Sequence, residues 1–417
     1  MFLKIKQNMN TKSLVISFAA LSIVSCTHHK GIADGNQTET TLNVEYIEMD
    51  NATAKDTVLY SDYLTAPKVI LLDRSTDCII REIYRMDIFD SIIYILDTKS
   101  CRLMTFDMEG RYLRDIGKRG NGNGEYISLS DFSIDHKNKF VYLWDEGKGN
   151  ALKYDLKSGK FISKIHHGLT DGQSYEMAYV NDRLFVNQTS ATTSDENYMI
   201  KEIDLSTGKS VKTHMDANKY NMGWNLPLRN KCTGISARSS SNPKIVNMFA
   251  DTIMTIGEDG FTPAYCLKSG IFVDKDDVHA IMKKYQQDGF FDMGALDKTG
   301  KIYGMSNYLE LGDIIHLNFL KGGMRYALLY DTSTKKTIIT KAFGDDFILN
   351  DQLCYLDLCY SNSSSAVAIL QSDVIPIFAT HALKTSGLNS GIDNHDALSN
   401  LSGDSGHNPI LFVYGIR

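Results

Sequence analysis

Positions 117–126 of the chain read Gly117-Lys118-Arg119-Gly120-Asn121-Gly122-Asn123-Gly124-Glu125-Tyr126. An apolar segment with an internal turn of acidic residues and glycine, Leu103–Leu113, precedes this glycine-rich run, and a similar segment, Leu152–Ile162, follows it. In the two matching turns, Asp155 lies 48 positions after Asp107. Glycine in such a turn supplies the positive φ that a tight β-hairpin needs. The glycine-rich run therefore joins two copies of one β unit.

A second marker repeats at the same spacing. Ile93–Asp97 (IYILD) matches Val141–Asp145 (VYLWD), again 48 positions later. Further copies of the turn follow Ile203 and Tyr330, and Ala250–Ile256 resembles the start of another unit. A period of roughly 40–50 residues with several short strands per unit is typical of β-propeller blades. The length of the chain leaves room for six of them, so the sequence predicts an all-β fold, a six-bladed β-propeller.

Composition limits the functions that the chain can have. The 417 residues include 43% hydrophobic side chains, enough for a large core, and the formal net charge is −6. A protein that binds nucleic acid in general carries a basic excess, which this chain lacks. We therefore expect no nucleic-acid partner.

The N-terminus has the pattern of a targeting segment. Lys4, Lys6 and Lys12 precede a short apolar run, Leu14–Val24. A positively charged region followed by an apolar run too short to span a membrane is typical of a signal peptide. We therefore predict a signal peptide over residues 1–25. An apolar first strand is the alternative.

The end of this apolar run specifies the kind of signal. Ile23-Val24-Ser25-Cys26 resembles the lipobox of bacterial lipoproteins, in which the chain is cut before the cysteine and the cysteine is acylated. This resemblance makes Cys26 the predicted lipidation site and the lipid the predicted membrane anchor. The polar residues 26–41 then form a flexible tether, and residues 42–417 form the propeller.

Three segments depart from the repeat. Residues 274–286 carry apolar side chains at helical spacing after an acidic N-cap, which predicts a short helical insertion. Residues 361–408 form an irregular region, in which residues 364–370 are compatible with a helix. Residues 409–416 are an apolar run that predicts a strand. In a ring this last strand would pair with N-terminal residues, and we expect residues 42–49 to be the partner, closing the circle and removing an exposed edge.

Few motifs in the sequence point to a reaction. The glycine-rich run lacks the Gly-Lys-[Ser/Thr] of a P-loop, and no Gly-x-Ser-x-Gly elbow or HExxH helix occurs. The neighbouring His166 and His167 would diverge on a strand. We therefore assign no catalytic residue, no metal site and no cofactor. Asp97, Asp135 and Asp145 recur near blade turns, where aspartate caps backbone N–H groups.

Export raises the question of disulfides. Besides Cys26, six cysteines are spread along the chain with no CxxC pair, which gives no support to a zinc site or a thioredoxin-like motif. We expect buried free thiols, with one disulfide between neighbouring strands as the alternative. The six are Cys78, Cys101, Cys232, Cys266, Cys354 and Cys359.

The glycine-rich run is also the candidate binding loop. One interpretation is a connection between blades in which several residues take positive φ. The other places the run at the mouth of the central channel, where Arg119, Asn121, Glu125 and Tyr126 would contact a ligand. Both interpretations are consistent with the sequence.

With these residues in view, the chain resembles the six-bladed β-propeller lipoproteins of gut Gram-negative bacteria, which are related in style to NHL-repeat propellers. The resemblance rests on Lys68–Leu72, Ile93–Asp97, the Phe106-Asp107 turn and, most of all, Gly117–Tyr126, where Asn123 replaces the usual proline. Two shorter matches are Asp251-Thr252-Ile253 and Asn408-Pro409-Ile410-Leu411. The resemblance covers about residues 42–417. It implies the fold and export, and it implies no reaction.

Two classes of function follow. The first is an exported, lipid-anchored binding or scaffolding module for a glycan, a peptide or a partner protein. The alternative is a propeller enzyme, a lyase or glycan hydrolase, with its site in the central channel; a purely structural role in the envelope is a third. No acidic run follows Cys26 directly, and in related bacteria such a run resembles a surface-export signal. We therefore expect the periplasmic face of the outer membrane.

Overall fold

The structure is a computed structural model that describes most of the chain from residue 44 onward. The described residues are 44–169, 174–188, 197–224, 234–236, 242–257, 260–401 and 406–417. The predicted signal peptide (1–25), the lipidation site Cys26, the tether (26–41) and Cys232 lie outside them.

Six separate β-sheets form a six-bladed β-propeller, as the sequence predicts. Three strands come first in the chain: β1 (Glu45–Glu48), β2 (Thr53–Leu59) and β3 (Lys68–Leu71). Blades I and II follow with β4 (Arg85–Phe89), β5 (Ile92–Asp97), β6 (Arg102–Asp107), β7 (Tyr112–Asp115), β8 (Leu129–Asp135), β9 (Phe140–Asp145), β10 (Asn150–Asp155) and β11 (Phe161–His166).

The remaining blades continue the same up-and-down order. Blades III and IV contain β12 (Met177–Val180), β13 (Arg183–Asn187), β14 (Tyr198–Ile203), β15 (Ser210–Asp216), β16 (Gly234–Ser236), β17 (Lys244–Val246), β18 (Thr252–Gly257) and β19 (Gly260–Lys268). Blades V and VI contain β20 (Ile302–Leu311), β21 (Ile314–Lys321), β22 (Met324–Asp331), β23 (Lys336–Gly344), β24 (Leu358–Ser361), β25 (Ser365–Leu370) and β26 (Ile410–Gly415). The first strand of each blade faces the central channel.

The core lies between blades, because alternate side chains of a strand point to opposite faces of its sheet. In β5, Ile93 and Ile95 pack in a cluster shared with blade VI. Tyr94 and Leu96, the residues between and after them, pack in a cluster shared with blade II. Each blade therefore buries the apolar faces of its neighbours. A single sheet of this length could not bury its own apolar faces.

The repeated aspartates cap backbone groups as predicted. Asp97, at the end of β5, accepts hydrogen bonds from the N–H groups of Lys99 and Ser100 through one carboxylate oxygen, and from that of Arg81 through the other. Asp145 does the same for Ser128 at the end of β9. Each carboxylate thus ties the second strand of its blade to the segment that leads into the first strand.

The last strand closes the ring, but its partner differs from the expected one. β26 is the third strand of blade VI and pairs antiparallel with both β25 and β3. The predicted partner, residues 42–49, was wrong: β1 lies parallel to β19 in blade IV. The reason is burial. β26 is apolar on both faces and needs a partner of the same kind, whereas β1 (EYIE) buries only Ile47, exposes Tyr46 and Glu48, and uses Glu45 to bind Tyr330 and Lys335.

The segment from residue 45 to residue 71, the N-terminal belt, adds a strand to three consecutive blades. β1 extends blade IV, β2 lies parallel to β23 at the outer edge of blade V, and β3 completes blade VI. Blades IV, V and VI are therefore connected on their outer side by one continuous stretch of chain.

The helical insertion is confirmed between blades IV and V. Helix α2 (Lys275–Asp288) starts after Asp274, whose side chain accepts hydrogen bonds from the N–H groups of Asp276 and Asp277. Its buried face, with Val278 and Ile281, packs on the propeller beside Trp224. The other helices are α1 (Ala217–Tyr220), α3 (Met293–Thr299), α4 (Ile375–Ile377), α5 (Leu383–Ser386) and α6 (His395–Ser399), with a π-helical turn at Phe378–Ala382 and 3-10 turns at Tyr60–Asp62 and Thr76–Cys78.

The region 361–408 is less irregular than expected. Residues 365–370 form strand β25, so the helical interpretation of residues 364–370 was wrong. Ala366, Val367 and Ala368 are all buried, on both faces of the sheet. Pairing with β24 and β26 outweighs the weak local preference of an alanine-containing run for a helix.

Two further observations concern the cysteines and the membrane. Cys78, Cys101 and Cys354 are buried free thiols, as predicted, whereas Cys266 is half-buried and Cys359 is exposed, so the prediction of burial was wrong for these two. Within the described part of the chain, none of the helices has both the length and the apolar composition to cross a membrane.

Candidate functional site

A cavity of about 440 Å³ lies in the central channel. Its wall is built from the first strands of five blades: β4, β8, β16, β20 and β24. Aromatic side chains and aliphatic side chains make up most of it, together with a few polar groups. The aromatic residues are Tyr84, Phe132, Tyr308, Tyr355 and Tyr360.

The charged part of the wall centres on Arg85. Its Nε lies 2.9 Å from Oδ1 of Asp131, and its Nη2 lies 3.3 Å from Oε1 of Glu176. Both carboxylates are buried. Burial alone would lower the pKa of the Arg85 guanidinium, but the charges of Asp131 and Glu176 outweigh burial and raise that pKa. The ion pairs join blades I and II to the segment that leads into blade III.

A second polar group in the wall is formed by Asp87 and Tyr360. The Tyr360 hydroxyl donates to Oδ1 of Asp87 at 2.8 Å, and the N–H of Ile88 donates to the same oxygen at 2.7 Å. Burial, and then the charge of Asp87, raise the pKa of the Tyr360 hydroxyl. Nε2 of His136 lies 3.9 Å from the other oxygen of Asp87. These contacts fasten blade VI to blade I at the channel.

Side chains also connect the first strands of neighbouring blades directly. The N–H of Met177 donates to Oδ2 of Asp131 at 2.7 Å, and the N–H of Tyr179 donates to Oγ of Ser133 at 3.0 Å. Both acceptors lie on β8 and both donors on β12. Because these bonds satisfy backbone groups that face the channel, they hold the wall in one arrangement before any ligand arrives.

Asn307 brings an unusual backbone conformation to the wall. Its φ is +53°, in the left-handed region, where β20 departs from regular pairing with β21. Asparagine tolerates this region better than most residues. The Asn307 side chain donates to the carbonyl of Leu358 at 2.9 Å, and its own carbonyl lies 3.2 Å from Nδ1 of His316. Burial lowers the pKa of His316 to about 4, so the ring is neutral and Nδ1–H is the donor.

The predicted binding loop, Gly117–Tyr126, connects β7 to β8 and therefore joins blade I to blade II. Glu125 forms an ion pair with Lys118 at 3.0 Å and accepts a hydrogen bond from the N–H of Gly122. The Tyr126 side chain is fully buried between the two blades. Arg119 and Asn121 are exposed.

None of these four candidates lies in the wall of the cavity. The contacts of Glu125 and Tyr126 support the interpretation of the run as a connection between blades. Ligand binding by Arg119, Asn121, Glu125 and Tyr126 stays a prediction.

The other sequence candidates have separate partners. Nδ1 of His166 lies 3.0 Å from the Asn150 side chain, whereas the His167 ring stacks on Trp144 at 3.7 Å between ring centres. In the described residues, no group of three or more His, Cys, Asp and Glu side chains is arranged to hold a metal ion.

Sequence reasoning missed the channel residues, although a signal was present. In β8 (LSDFSID), Asp131 and Ser133 interrupt an apolar strand at alternate positions. In β4 (RMDIF), Arg85 and Asp87 do the same. Polar residues with a period of two in the first strand of a repeat unit point to one face of the sheet, and here Arg85, Asp131 and Ser133 use that face to contact the next blade.

The fold and the cavity define a class: a six-bladed β-propeller with a cavity in its central channel. The chain belongs to the family described as "Domain of unknown function (DUF4934)", whose model matches residues 44–415. Among solved structures, it is similar to a presumed exported protein from Bacteroides fragilis, with 18% identity and a TM-score of 0.65 over 89% of this chain and 99% of that one.

A second similar structure is a member of the DUF4221 family from Bacteroides vulgatus, with 10% identity and a TM-score of 0.45 over 85% of this chain and 98% of that one. At these identities the likeness shows the fold alone. No curated protein sequence matches the chain.

Proposed function

We propose that this protein is a binding module of the bacterial cell envelope, and that it holds its ligand, part of a glycan, a peptide or a partner protein, in the channel cavity. The observation that carries the proposal is the cavity of about 440 Å³ at the centre of the propeller. Concave, mostly apolar sites with a few fixed polar groups are the usual form of a ligand site.

The rigidity of the wall supports binding. The hydrogen bonds from Met177 to Asp131 and from Ile88 to Asp87 span neighbouring blades or fix a strand at the channel. A wall that is already ordered loses little conformational entropy when a ligand enters. The ring of Tyr355, which is 66% exposed, offers a flat surface against which a sugar ring or a peptide side chain can pack.

Export and lipid anchoring belong to the same proposal. The lipobox-like sequence Ile23–Cys26 supports acylation of Cys26, and the similar Bacteroides fragilis protein is described as exported. Attachment through a lipid would place the propeller at a membrane surface, on the periplasmic face of the outer membrane, with its channel open to diffusing ligands.

The test is a screen of the purified protein against glycan and peptide libraries, with the melting temperature as readout. A ligand that binds the folded state adds about 2.7 kcal/mol of stability at roughly 100 times its Kd. Cys359 lines the cavity and is exposed, so Cys359→Phe should fill the channel, and Cys359→Ser is the matched control. We expect a stabilising ligand whose effect is lost in Cys359→Phe and kept in Cys359→Ser. Ligands that stabilise both variants equally would show that the site lies elsewhere.

A further inference from the structure

We infer that the ligand group that enters the channel cavity is apolar, an aliphatic or aromatic group, and not a hydroxyl-rich sugar. This inference rests on the proposed function, because it specifies the ligand of the same cavity. The inference is based on the surface that the wall presents to a ligand, which is mainly apolar.

The aliphatic side chains come from every part of the wall. The first strands β4, β8, β16 and β20 contribute Met86, Ile134, Ile235 and Leu309, which are largely buried behind the surface of the wall. Ile369 at the end of β25 and Val374 after it are more exposed. Apolar surface of this kind gains free energy by excluding water, and it gives a sugar hydroxyl nothing to replace the hydrogen bonds that it loses.

The polar side chains of the wall are engaged in holding the blades together. Gln371 accepts from the N–H of Ile83 and donates to its carbonyl, both at 3.3 Å. The Tyr360 hydroxyl donates to Asp87. Ser361 accepts from the N–H of Glu310 at 3.2 Å. A ligand hydroxyl would have to compete with bonds that join neighbouring strands or blades.

Two more polar groups of the wall are used in the same way. The Asn307 side chain donates to Leu358, and Ser133 accepts from Tyr179. Since these bonds fix the first strands of blades II, III, V and VI, replacing them with ligand contacts would loosen the channel itself. The wall is therefore better suited to an apolar guest than to a polar one.

Apolar surface continues outside the cavity. Tyr355, in the wall, is 66% exposed, and Val374, also in the wall, is 40% exposed. Ile377 follows Val374 by three positions at the start of a helix and is 60% exposed. Three large apolar side chains exposed at one place form a rim, and a ligand whose apolar part is longer than the cavity would cover it.

The test uses the fluorescent apolar dye anilinonaphthalene sulfonate as probe on the folded protein. We expect saturable dye binding to the wild type, and binding at least about tenfold weaker in Cys359→Phe. Tyr355→Ser should also weaken binding, whereas Tyr46→Ser, which changes another exposed tyrosine, on β1, should not.

Competition then identifies the source of the apolar group. A leucine–phenylalanine dipeptide amide and decanoate represent a peptide side chain and an acyl chain, and maltotriose represents a glycan. Displacement of the dye by either apolar competitor, with no effect of maltotriose, is the expected result, and the stronger competitor names the source. Competition by maltotriose alone, abolished in Cys359→Phe, would keep the channel site and overturn the apolar assignment. Dye binding that Cys359→Phe leaves unchanged, or no dye binding at all, would also overturn this inference; the first outcome would contradict the channel site as well.

Discussion

The Nε atom of Arg85 in blade I lies 2.9 Å from Oδ1 of Asp131 in blade II, inside the channel wall. Because Asp131 is fully buried, this cation and this carboxylate depend on each other. Replacing Arg85 by methionine keeps much of its volume but leaves a buried carboxylate without its guanidinium. We expect Arg85→Met to lower the free energy of unfolding by about 3–5 kcal/mol.

Urea denaturation would measure this loss. The matched control is Arg111→Met, which removes an exposed ion pair with Asp107 and should cost about 1 kcal/mol or less. Equal losses in the two variants would mean that the buried ion pair contributes no more to the free energy of unfolding than the exposed one.

A second prediction concerns pH. Burial lowers the pKa of His316 to about 4, below its ordinary value of 6.5. Between these values the unfolded chain binds a proton at His316 that the folded protein does not, so stability falls as the pH decreases from about 6.5 to about 4. One such group contributes roughly 1.4 kcal/mol per pH unit in that window. Burial lowers the pKa of His167 to about 4 in the same way, so it adds to the slope.

The variant His316→Gln removes this titration while keeping a side-chain donor for the carbonyl of Asn307. We expect a smaller slope of stability against pH between about 4 and 6.5 than in the wild type, measured by thermal unfolding. His381→Gln, at an exposed position, is the control and should leave the slope unchanged. An identical slope in the wild type and in His316→Gln would contradict the burial argument.

The third prediction concerns ring closure. Deletion of residues 409–417 removes β26, the strand that pairs with β3 and β25. Blade VI would lose its third strand, and β3 would lose its partner, so we expect aggregation or a large drop in melting temperature. Deletion of residues 27–38 should change almost nothing. A soluble C-terminal truncation with an unchanged melting transition would show that the ring does not need β26.

The fourth prediction concerns the membrane anchor. Cys26→Ser should leave the propeller folded and release the protein from membranes, because the anchor is a covalent lipid. Fractionation of cells into membrane and soluble parts would measure it, with the melting temperature of the released protein as the check on folding. Protein that stays with the membrane after its signal is removed would contradict lipidation at Cys26.

The sequence was most informative where the repeat is regular. The aspartates that end β5 and β9 stand 48 positions apart and have the same role, so blades I and II could be located from Asp97 and Asp145 alone. In blade III the equivalent position is Asn187, which accepts from the N–H groups of Tyr175 and Glu176. The hydrogen bonds are of the same kind there, but the residue is asparagine and not aspartate. The repeat is therefore harder to recognise from a single sequence.

The pairing that closes the ring could not be predicted from local sequence patterns. Residues 45–48, 53–59 and 68–71 all form strands, and which of them pairs with β26 depends on burial over the whole ring. The residues of the channel wall were difficult to predict for the same reason. The alternation of Arg85 and Asp87 marks one face of β4, but only the position of β4 as the first strand of its blade brings both residues to the wall of the cavity.

The N-terminal belt has a consequence for how the protein is made. Its strand β3 is among the first parts of the propeller to be synthesised, and its partner β26 contains almost the last residues of the chain. Blade VI therefore cannot be completed until β26 has been synthesised. An interrupted or shortened product keeps β3 as an unpaired apolar edge, a feature that promotes aggregation and degradation. Only a chain that includes β26 can therefore close the ring.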